Sequence, residues 1–359
     1  MFKSAQLNRA NMVPETMRAV LLTGHGGLEK LEYREDVPVP QPGADDVLVK
    51  VDACGLNNTD IWTREAAYGE DDAGWKDQLD FPIIQGADIA GTIVDVGSNV
   101  SEDRIGDRVL VDNALYADAQ NEFQSLVNAD LIGSERDGGY AEYAAVPAEN
   151  AHRVDSSLSA AELATFPTAY VTAERMLNRA NVSAGDDVFV TGASGGVGTG
   201  LVQLARRRDA RVLGLTSSGK SDSIREVGAE EVVARDDDDI PAAVRNWTED
   251  EQVDVVADVV GGELFQEFLE VLRPGGSLVT AGAVAGPVTE IDLRTVYLKQ
   301  IDIVGSTMGT RSEFQDLVRY IENGDIEPLL AETYPLSEIH KAQRQFTRND
   351  YVGNIVVEP

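Results

Sequence analysis

The amino-acid sequence predicts an α/β protein in which a β-rich domain is interrupted by an inserted domain built on a doubly wound parallel sheet. Residues 17–112 contain short β-rich segments separated by turns, whereas residues 187–306 alternate apolar strands with helical segments. Such alternation is typical of a doubly wound sheet. The last apolar segment, residues 353–358, has no place in the alternation, and we expect it to return to the first domain.

The β-rich domain shows period-2 segments and little helical periodicity. Its pattern is interrupted by residues 113–137, which lack a clear period, and resumes at residues 138–144. The remaining β-rich segments before the interruption lie at residues 17–23, 31–36, 46–55, 89–97 and 105–111.

The inserted domain begins where the pattern becomes helical, at Ala160, with Ser159 as a suitable N-cap. Later helices are predicted over residues 312–322 and 336–346. The strands of the alternation are predicted at residues 187–192, 211–216, 231–234, 253–260, 276–282 and 301–306.

A glycine-rich turn joins the first of these strands to the following helix. Free N–H groups and the helix dipole at such a turn bind phosphate. Ala193 stands where the usual pattern has its first glycine, so an ordinary tight turn is the alternative. The residues of the turn are Gly192, Ala193, Ser194, Gly195, Gly196, Val197 and Gly198.

The domain boundaries follow from these patterns. We expect a mobile N-terminal extension at residues 1–16, without the apolar core of a signal peptide. The β-rich domain is predicted to span residues 17–158 and 325–359, and the inserted domain residues 159–324.

Composition restricts the partners and the environment of the protein. The net charge is −32, and only 7 of the 30 cationic residues are lysine. The acidic residues are scattered along the chain, apart from a run at residues 236–239 that we interpret as a solvated loop. We expect no nucleic-acid partner, because that needs clustered cations, and no membrane partner, because no apolar run is long enough to span one. Self-repulsion of this size predicts a halophilic protein from a salty cytoplasm.

The single cysteine, Cys54, excludes an internal disulfide and a cysteine-rich zinc site. We interpret it as a small buried hydrophobe in a strand, and a cytoplasmic location as the default.

The order and spacing of several motifs resemble the medium-chain dehydrogenase/reductase superfamily, and within it the zinc-free branch of ζ-crystallin-like quinone oxidoreductases. The resemblance extends from about residue 17 to the end. It implies a GroES-like β-rich catalytic domain and a Rossmann domain. The motifs lie at residues 55–60, 86–91, 106–109, 139–143, 168–170 and 192–198.

The zinc ligands of the alcohol dehydrogenases in this superfamily are replaced. Asn57 stands at the position of a cysteine ligand, Ala87 and Asp88 stand where His and Glu are found, and the remaining cysteine falls near Ala164. A catalytic zinc needs three protein ligands, and only Asp88 is a possible ligand, so no metal is predicted. Residues 113–137, which resemble the structural-zinc lobe, contain no cysteine.

The second strand of the inserted domain ends without the carboxylate that an NAD site places there. Hydroxyls and a lysine follow it instead and suit a 2′-phosphate, which predicts NADP(H) as cofactor; these residues are Thr216, Ser217, Ser218 and Lys220. The resemblance implies further cofactor contacts at the glycine turn, Ala193–Gly198, and at Trp62, Thr168, Ala281, Gly282, Ala283, Ser306 and Thr307.

Four polar residues are the candidates for the catalytic step. Asn57 is expected to donate a hydrogen bond to the acceptor oxygen, and Thr59 to relay a proton. Asp60 and Asp88 are either catalytic or structural, the latter as carboxylates hydrogen-bonded to backbone.

The leading prediction is a zinc-independent oxidoreductase that transfers a hydride from NADPH to a small activated acceptor, a quinone or an α,β-unsaturated carbonyl. One alternative is an alcohol dehydrogenase of the same superfamily, acting on alcohols or aldehydes. Another is a non-catalytic, crystallin-like NADPH-binding protein. Residues 301–304 resemble the edge strand through which family members pair their sheets, which predicts a homodimer or homotetramer.

Overall fold

The computed structural model of the protein describes residues 13–68, 79–117, 121–236, 239–249 and 251–359. Residues 1–12 of the predicted extension, and residues 237 and 238 of the acidic run, lie outside the described residues.

The chain forms two compact units. Unit 1 comprises the described residues up to Thr168 together with Leu330–Asn349 and Asn354–Pro359, and unit 2 comprises Ala169–Leu329 and Asp350–Gly353. The domain boundaries expected at 158/159 and 324/325 remain predictions.

Strands and helices are numbered along the chain. The strands of unit 1 that precede unit 2 are β1 (Thr16–Leu22), β2 (Leu31–Pro38), β3 (Asp46–Gly55), β4 (Ile83–Ile84), β5 (Asp88–Val96), β6 (Arg108–Val111), β7 (Ala114–Leu115), β8 (Asp130–Leu131), β9 (Tyr143–Pro147) and β10 (Ala151–Arg153). Those of unit 2 are β11 (Asp187–Val190), β12 (Arg211–Thr216), β13 (Glu231–Ala234), β14 (Val253–Asp258), β15 (Leu272–Thr280) and β16 (Asp302–Gly305), and unit 1 ends with β17 (Leu330–Pro335) and β18 (Asn354–Glu358).

The α-helices are distributed over both units. They are α1 (Asn58–Arg64), α2 (Glu122–Val127), α3 (Ala160–Leu163), α4 (Pro167–Arg179), α5 (Gly196–Arg207), α6 (Ser221–Val227), α7 (Ile240–Trp247), α8 (Phe265–Glu270), α9 (Leu293–Lys299), α10 (Arg311–Asn323) and α11 (Ile339–Arg348). No helix in the described ranges is long and apolar enough to cross a membrane.

The largest sheet of unit 1 has the strand order β10-β6-β5-β3-β18-β17, with β9 also paired to β3. Strands β3 and β5 are antiparallel, and their register places Gly55 opposite Asp88. Because α1 follows β3 directly, this register brings the start of α1 close to the start of β5. The last strand, β18, pairs with the same end of β3 through Val356 and Gly55.

Unit 2 contains a parallel sheet with the strand order β13-β12-β11-β14-β15-β16. The middle residues of β11, β12 and β14 are apolar and buried, as expected of strands covered on both faces, and Phe189, Leu213, Val256 and Leu278 lie in one buried core. The order reverses between β11 and β14, the switch point at which such sheets bind ligands. The predicted α/β fold class with a doubly wound sheet is confirmed.

Two helical features differ from the sequence prediction. The helix expected from Ala160 is divided into α3 and α4, because Pro167 lacks an N–H group and disfavours helical backbone at the residue before it. Ser159 caps α3 as predicted, accepting a hydrogen bond from the Glu162 N–H at 3.2 Å. Helix α1 was not predicted, since its seven residues are too few to show a helical period.

Candidate functional site

The first group of candidate residues lies at the start of α1. Asn57 immediately precedes the helix, and its backbone N–H donates to the Asp60 carboxylate at 2.8 Å. The same carboxylate accepts from the Tyr140 hydroxyl at 2.8 Å, and the Asp60 carbonyl accepts from Gln85 Nε2 at 2.9 Å. Burial raises the pKa of Asp60 to about 6, against the lowering effect of the hydrogen bonds to its carboxylate. These contacts fix the first turn of α1.

Asp88, at the start of β5, contacts a different helix. Its Oδ1 atom accepts from the backbone N–H of Thr168 at 3.0 Å and from the Thr168 hydroxyl at 2.5 Å. Thr168 lies in the first turn of α4, where a helix cannot pair its own N–H groups, so Asp88 satisfies one of them. Asn113 Nδ2 donates to the Thr168 hydroxyl at 2.7 Å. Burial raises the pKa of Asp88 to about 7.

The side chain of Asn57 has an unusual environment. Its Nδ2 atom is buried and makes no hydrogen bond of ordinary geometry within the described residues, although it lies close enough to Asp88 to lower the pKa of that carboxyl. A buried N–H donor without a partner is costly. An acceptor oxygen placed beside it would offset this cost.

Thr59 and Trp62 meet through Tyr68, a residue that the sequence analysis missed. The Tyr68 hydroxyl donates to Thr59 Oγ1 at 3.0 Å, and the Trp62 ring packs edge-to-face on the Tyr68 ring with centroids 5.7 Å apart. Tyr68 lies outside the quoted motifs, so no sequence signal indicated it. The predicted proton relay through Thr59 would include this phenol.

The contacts of Asp60 and Asp88 bear on whether these carboxylates are catalytic or structural. Each accepts hydrogen bonds from two groups of the protein, and each holds the first turn of a helix. This arrangement favours the structural alternative, with the two carboxylates positioning Asn57 and Thr168. Their roles remain predictions.

The glycine turn follows β11 in unit 2. Gly192 has φ +58°, a left-handed conformation that favours glycine, whereas Ala193 does not. A Cβ atom on Gly198 would lie 2.1 Å from the Gly192 carbonyl oxygen, so the turn requires glycine there. A Cβ on Gly195, the residue before α5, would meet nothing closer than 3.7 Å. There is therefore space beside Gly195, at the start of α5, where the first N–H groups of a helix have no partner within the helix.

Ala193 also has a clear structural place, although it departs from the usual pattern. Its side chain is buried, and its backbone N–H donates to the Leu215 carbonyl at 3.0 Å. Ser194, next in the turn, accepts from the Gly353 N–H at 3.0 Å through its backbone carbonyl. The turn is thereby anchored to β12 and to the last segment of unit 2.

The residues predicted to bind the 2′-phosphate lie at the end of β12 and directly after it. A carboxylate lies among them. Asp236 accepts from the Ser218 backbone N–H at 2.9 Å and from the Ser218 hydroxyl at 2.8 Å. The absence of a carboxylate, predicted from the residues directly after β12, is therefore wrong for the folded protein. Because β13 pairs with β12, Asp236, which follows β13, reaches the same place.

The charges around Ser218 are mixed. The hydrogen bonds from Ser218 lower the pKa of Asp236, which therefore stays ionised. Burial lowers the pKa of Lys220, while the charge of Asp350 acts in the opposite direction and that of Arg235 in the same direction as burial. Two cations, Lys220 and Arg235, and two anions, Asp236 and Asp350, thus interact with one another near the residues predicted to bind the 2′-phosphate.

The other predicted cofactor contacts follow β15 and β16. Ala281, Gly282 and Ala283 come directly after β15, and Ser306 and Thr307 come directly after β16. The Ser306 Oγ atom is buried without a hydrogen-bond partner in the part of the chain that the structure describes. It is therefore a second buried polar atom whose hydrogen-bonding capacity the described chain does not use.

Asp258, at the end of β14, was missed by the sequence analysis. Its carboxylate accepts from the Thr191 hydroxyl at 2.6 Å and from the backbone N–H groups of Val260 and Gly261 at 3.0 and 3.1 Å. It links the ends of two adjacent strands beside the glycine turn. Thr191 lies 67 residues before Asp258. The contact between them therefore becomes evident only from the pairing of β11 with β14.

The described residues contain no group of three or more His, Cys, Asp or Glu side chains that could hold a metal ion. At the positions that correspond to zinc ligands in the related alcohol dehydrogenases, Asn57, Ala87 and Ala164 lack a suitable donor, and Asp88 is hydrogen-bonded to Thr168. This donor set does not fit a catalytic zinc.

Comparison with known proteins identifies the family. The model of the alcohol dehydrogenase GroES-like domain matches residues 43–156, and that of the zinc-binding dehydrogenases matches residues 196–323. The chain is 32% identical over 338 residues to the quinone oxidoreductase of Mus musculus, covering 91% of this chain and 92% of that protein. It is 31% identical over 350 residues to the acryloyl-coenzyme A reductase of Metallosphaera sedula, covering 95% and 99%.

A solved structure from Sinorhizobium meliloti 1021, provisionally named an alcohol dehydrogenase, is 52% identical, with a TM-score of 0.95 over 99% of both chains. Together with the fold and the two domain matches, these relatives show that the chain is an oxidoreductase and belongs to the medium-chain dehydrogenase/reductase superfamily.

Proposed function

We propose that this enzyme uses NADPH to reduce an activated acceptor, a quinone or an α,β-unsaturated carbonyl compound, without zinc. The observation that carries the proposal is the buried, unpaired Nδ2 atom of Asn57. An acceptor oxygen would pair with this donor, and the hydrogen bond would strengthen as negative charge develops on the oxygen during reduction.

The donor set at Asn57, Ala87, Asp88 and Ala164 supports chemistry without a metal. Zinc acts in dehydrogenases as a Lewis acid that polarises a carbonyl, which an unactivated ketone or alcohol needs. A quinone or conjugated enone is already electrophilic, so hydrogen bonding from Asn57 is sufficient help. Asp60 and Asp88 would act as positioning residues, holding the turns that carry Asn57 and Thr168.

The cofactor proposal rests on the glycine turn and the strand ends of unit 2. Members of the superfamily use nicotinamide cofactors, and a bound nicotinamide would supply the hydride. The cradle at Gly195–Gly198 would hold the pyrophosphate, and the unpaired Ser306 hydroxyl supports the predicted contact beside the nicotinamide. Ser217, Ser218 and Lys220 favour the phosphorylated cofactor, NADPH.

The relatives support the choice of acceptor. One is named a quinone oxidoreductase and another an acryloyl-coenzyme A reductase, and both names describe electrophilic, conjugated acceptors. The alternative of an alcohol dehydrogenase is supported by the provisional name of the Sinorhizobium meliloti structure. The relatives give no support to a non-catalytic NADPH-binding protein.

A substrate panel tests the proposal. The kcat/KM for a quinone, an alkenal and an enoyl thioester is measured with NADPH and with NADH, alongside NADP⁺-dependent oxidation of primary and secondary alcohols. We expect turnover of at least one conjugated acceptor, faster with NADPH. Efficient oxidation of simple alcohols without turnover of any conjugated acceptor would favour the alcohol dehydrogenase instead.

We also propose that the enzyme is a homodimer or homotetramer that forms through β16 and α9. Several apolar side chains are exposed on these two elements and on the loop before α9. The surface of a monomer usually exposes fewer apolar side chains in one region. Light scattering that shows a monomer would contradict this proposal. The exposed fractions are 87% for Val288, 71% for Leu298, 66% for Leu293, 63% for Tyr297 and 42% for Ile303.

The cytoplasmic location and the halophilic character belong to the same proposal. The single cysteine and the net charge of −32 support them.

A further inference from the structure

Ser218 directs two hydrogen-bond donors at one anion. Its backbone N–H and its hydroxyl both donate to the carboxylate of Asp236, at 2.9 and 2.8 Å. A phosphate monoester is bound by the same kind of donors. N–H and O–H groups form short, charge-assisted hydrogen bonds with its oxygen atoms. In this protein the carboxylate occupies both donors of Ser218, one of the residues predicted to bind the 2′-phosphate.

We propose that Asp236 is a specificity-determining residue that competes with the cofactor 2′-phosphate for Ser218. The proposal rests on, and deepens, the proposed use of NADPH. Binding of the phosphate must displace Asp236 from both donors, and the displaced carboxylate stays close to a group of the same sign. Asp236 therefore weakens the binding of NADPH and narrows its advantage over NADH.

The neighbouring charges allow this exchange. Arg235 is next in the chain to Asp236 and interacts favourably with its carboxylate, so the displaced side chain has a cation to face. The charge of Lys220 interacts with those of Arg235 and Asp350, and Lys220 is itself one of the residues predicted to bind the phosphate. The exchange replaces one anion at Ser218 by another and leaves the cations in place.

The competition is selective for the phosphorylated cofactor. NADH carries a 2′-hydroxyl in place of the phosphate, and a carboxylate can accept a hydrogen bond from a ribose hydroxyl, as in NAD-specific sites. Asp236 therefore does not oppose NADH. Its removal should therefore raise the affinity for the phosphorylated cofactor relative to the affinity for NADH.

Equilibrium binding to the protein without cofactor tests the inference. The probes are 2′,5′-ADP and 5′-AMP, which differ by the 2′-phosphate, and their Kd values are measured by titration calorimetry at one KCl concentration. The variants are Asp236→Asn and Asp236→Ala, which remove the charge from an exposed side chain. Asp222→Asn is the matched control, because Asp222 is a nearby carboxylate whose side chain is 98% exposed and pairs with Arg225 instead.

Both Asp236 variants should raise the affinity ratio of 2′,5′-ADP to 5′-AMP by about tenfold, equivalent to about 1.4 kcal/mol, with the ratio of the control unchanged. A rise below about threefold, or a fall, overturns the inference, and a fall indicates that Asp236 orders the loop for the phosphate. The ratio in the unsubstituted protein, taken with its NADPH and NADH kinetics, tests the proposed cofactor separately. Thermal unfolding of each variant confirms that it is folded.

Discussion

Asn57 is the residue on which the proposed chemistry depends. Its buried Nδ2 atom has no partner in the described chain, and loss of a single donor of this kind typically lowers kcat by about 10²- to 10³-fold. Asn57→Ala should therefore reduce kcat/KM for the acceptor by about 10²-fold, with little effect on the Kd of NADPH. Asn58→Ala, an exposed neighbour at the start of α1, is the control. An unchanged rate in Asn57→Ala would remove this residue from the mechanism.

Asp88 should make the stability of the protein depend on pH. Burial raises its pKa from 3.8 to about 7, so between these values the folded protein retains a proton that the unfolded chain has lost. The free energy of unfolding therefore falls as the pH rises through this window. Asp88→Asn keeps an acceptor for Thr168 but does not ionise, and its unfolding free energy should fall less steeply.

Chemical denaturation from pH 4 to 8 at constant salt measures this slope, with Asp52→Asn as a control because that carboxylate is only partly buried. The same slope in Asp88→Asn and in the unsubstituted protein would show that Asp88 does not titrate in this window.

Single residues were predictable from the sequence only where a motif or a strand end indicated them. Asn57, Thr59 and Ser218 were proposed as site residues in this way, and their roles stay predictions. The partners that define their environment were not, because hydrogen bonds such as Tyr140 to Asp60 join residues 80 positions apart. Asp236 shows the same limit: its position depends on the pairing of two strands, which the order of residues along one strand does not reveal.

At the scale of the elements, two substitutions in the glycine turn should have different effects, one on the stability of the fold and the other on cofactor binding. Gly198→Ala places a Cβ atom 2.1 Å from the Gly192 carbonyl oxygen, and such overpacking typically costs about 1–3 kcal/mol of stability. Gly195→Ala meets nothing closer than 3.7 Å but fills the proposed phosphate cradle. We expect Gly198→Ala to lower the unfolding free energy. Gly195→Ala should stay stable and bind NADPH at least about tenfold more weakly, a loss of about 1.4 kcal/mol.

Thermal unfolding and cofactor titration of the two variants check this pair of outcomes. Unimpaired NADPH binding by Gly195→Ala would place the pyrophosphate elsewhere.

Most of the long elements were predictable because their apolar residues repeat with the period of a strand or a helix. Helix α10, which ends at Asn323 before the left-handed Gly324, and most strands of unit 2 follow the sequence prediction closely, whereas β15 begins four residues earlier than predicted. Short elements were missed, as α1 and α2 show, because six or seven residues do not display a period. The break between α3 and α4 was missed because the helical pattern continues across Pro167.

At the scale of the whole molecule, the net charge of −32 should make stability depend on salt. The Debye length falls from about 8 Å at 0.15 M to about 3 Å at 1 M ionic strength, so molar salt screens repulsion between surface carboxylates. We expect the Tm to rise markedly between 0.15 M and 2 M KCl. Sucrose at matched osmolality is the control for general exclusion effects. Full fold and activity at low ionic strength would contradict the halophilic interpretation.

The central claim is that this enzyme reduces a conjugated acceptor with NADPH and needs no metal for it. The most direct test measures zinc content and NADPH-dependent turnover of a quinone and an alkenal on the same purified sample, prepared without chelators. We predict turnover at a zinc content far below one per chain, unchanged by added chelator. About one zinc per chain, with turnover lost on its removal, would contradict the claim.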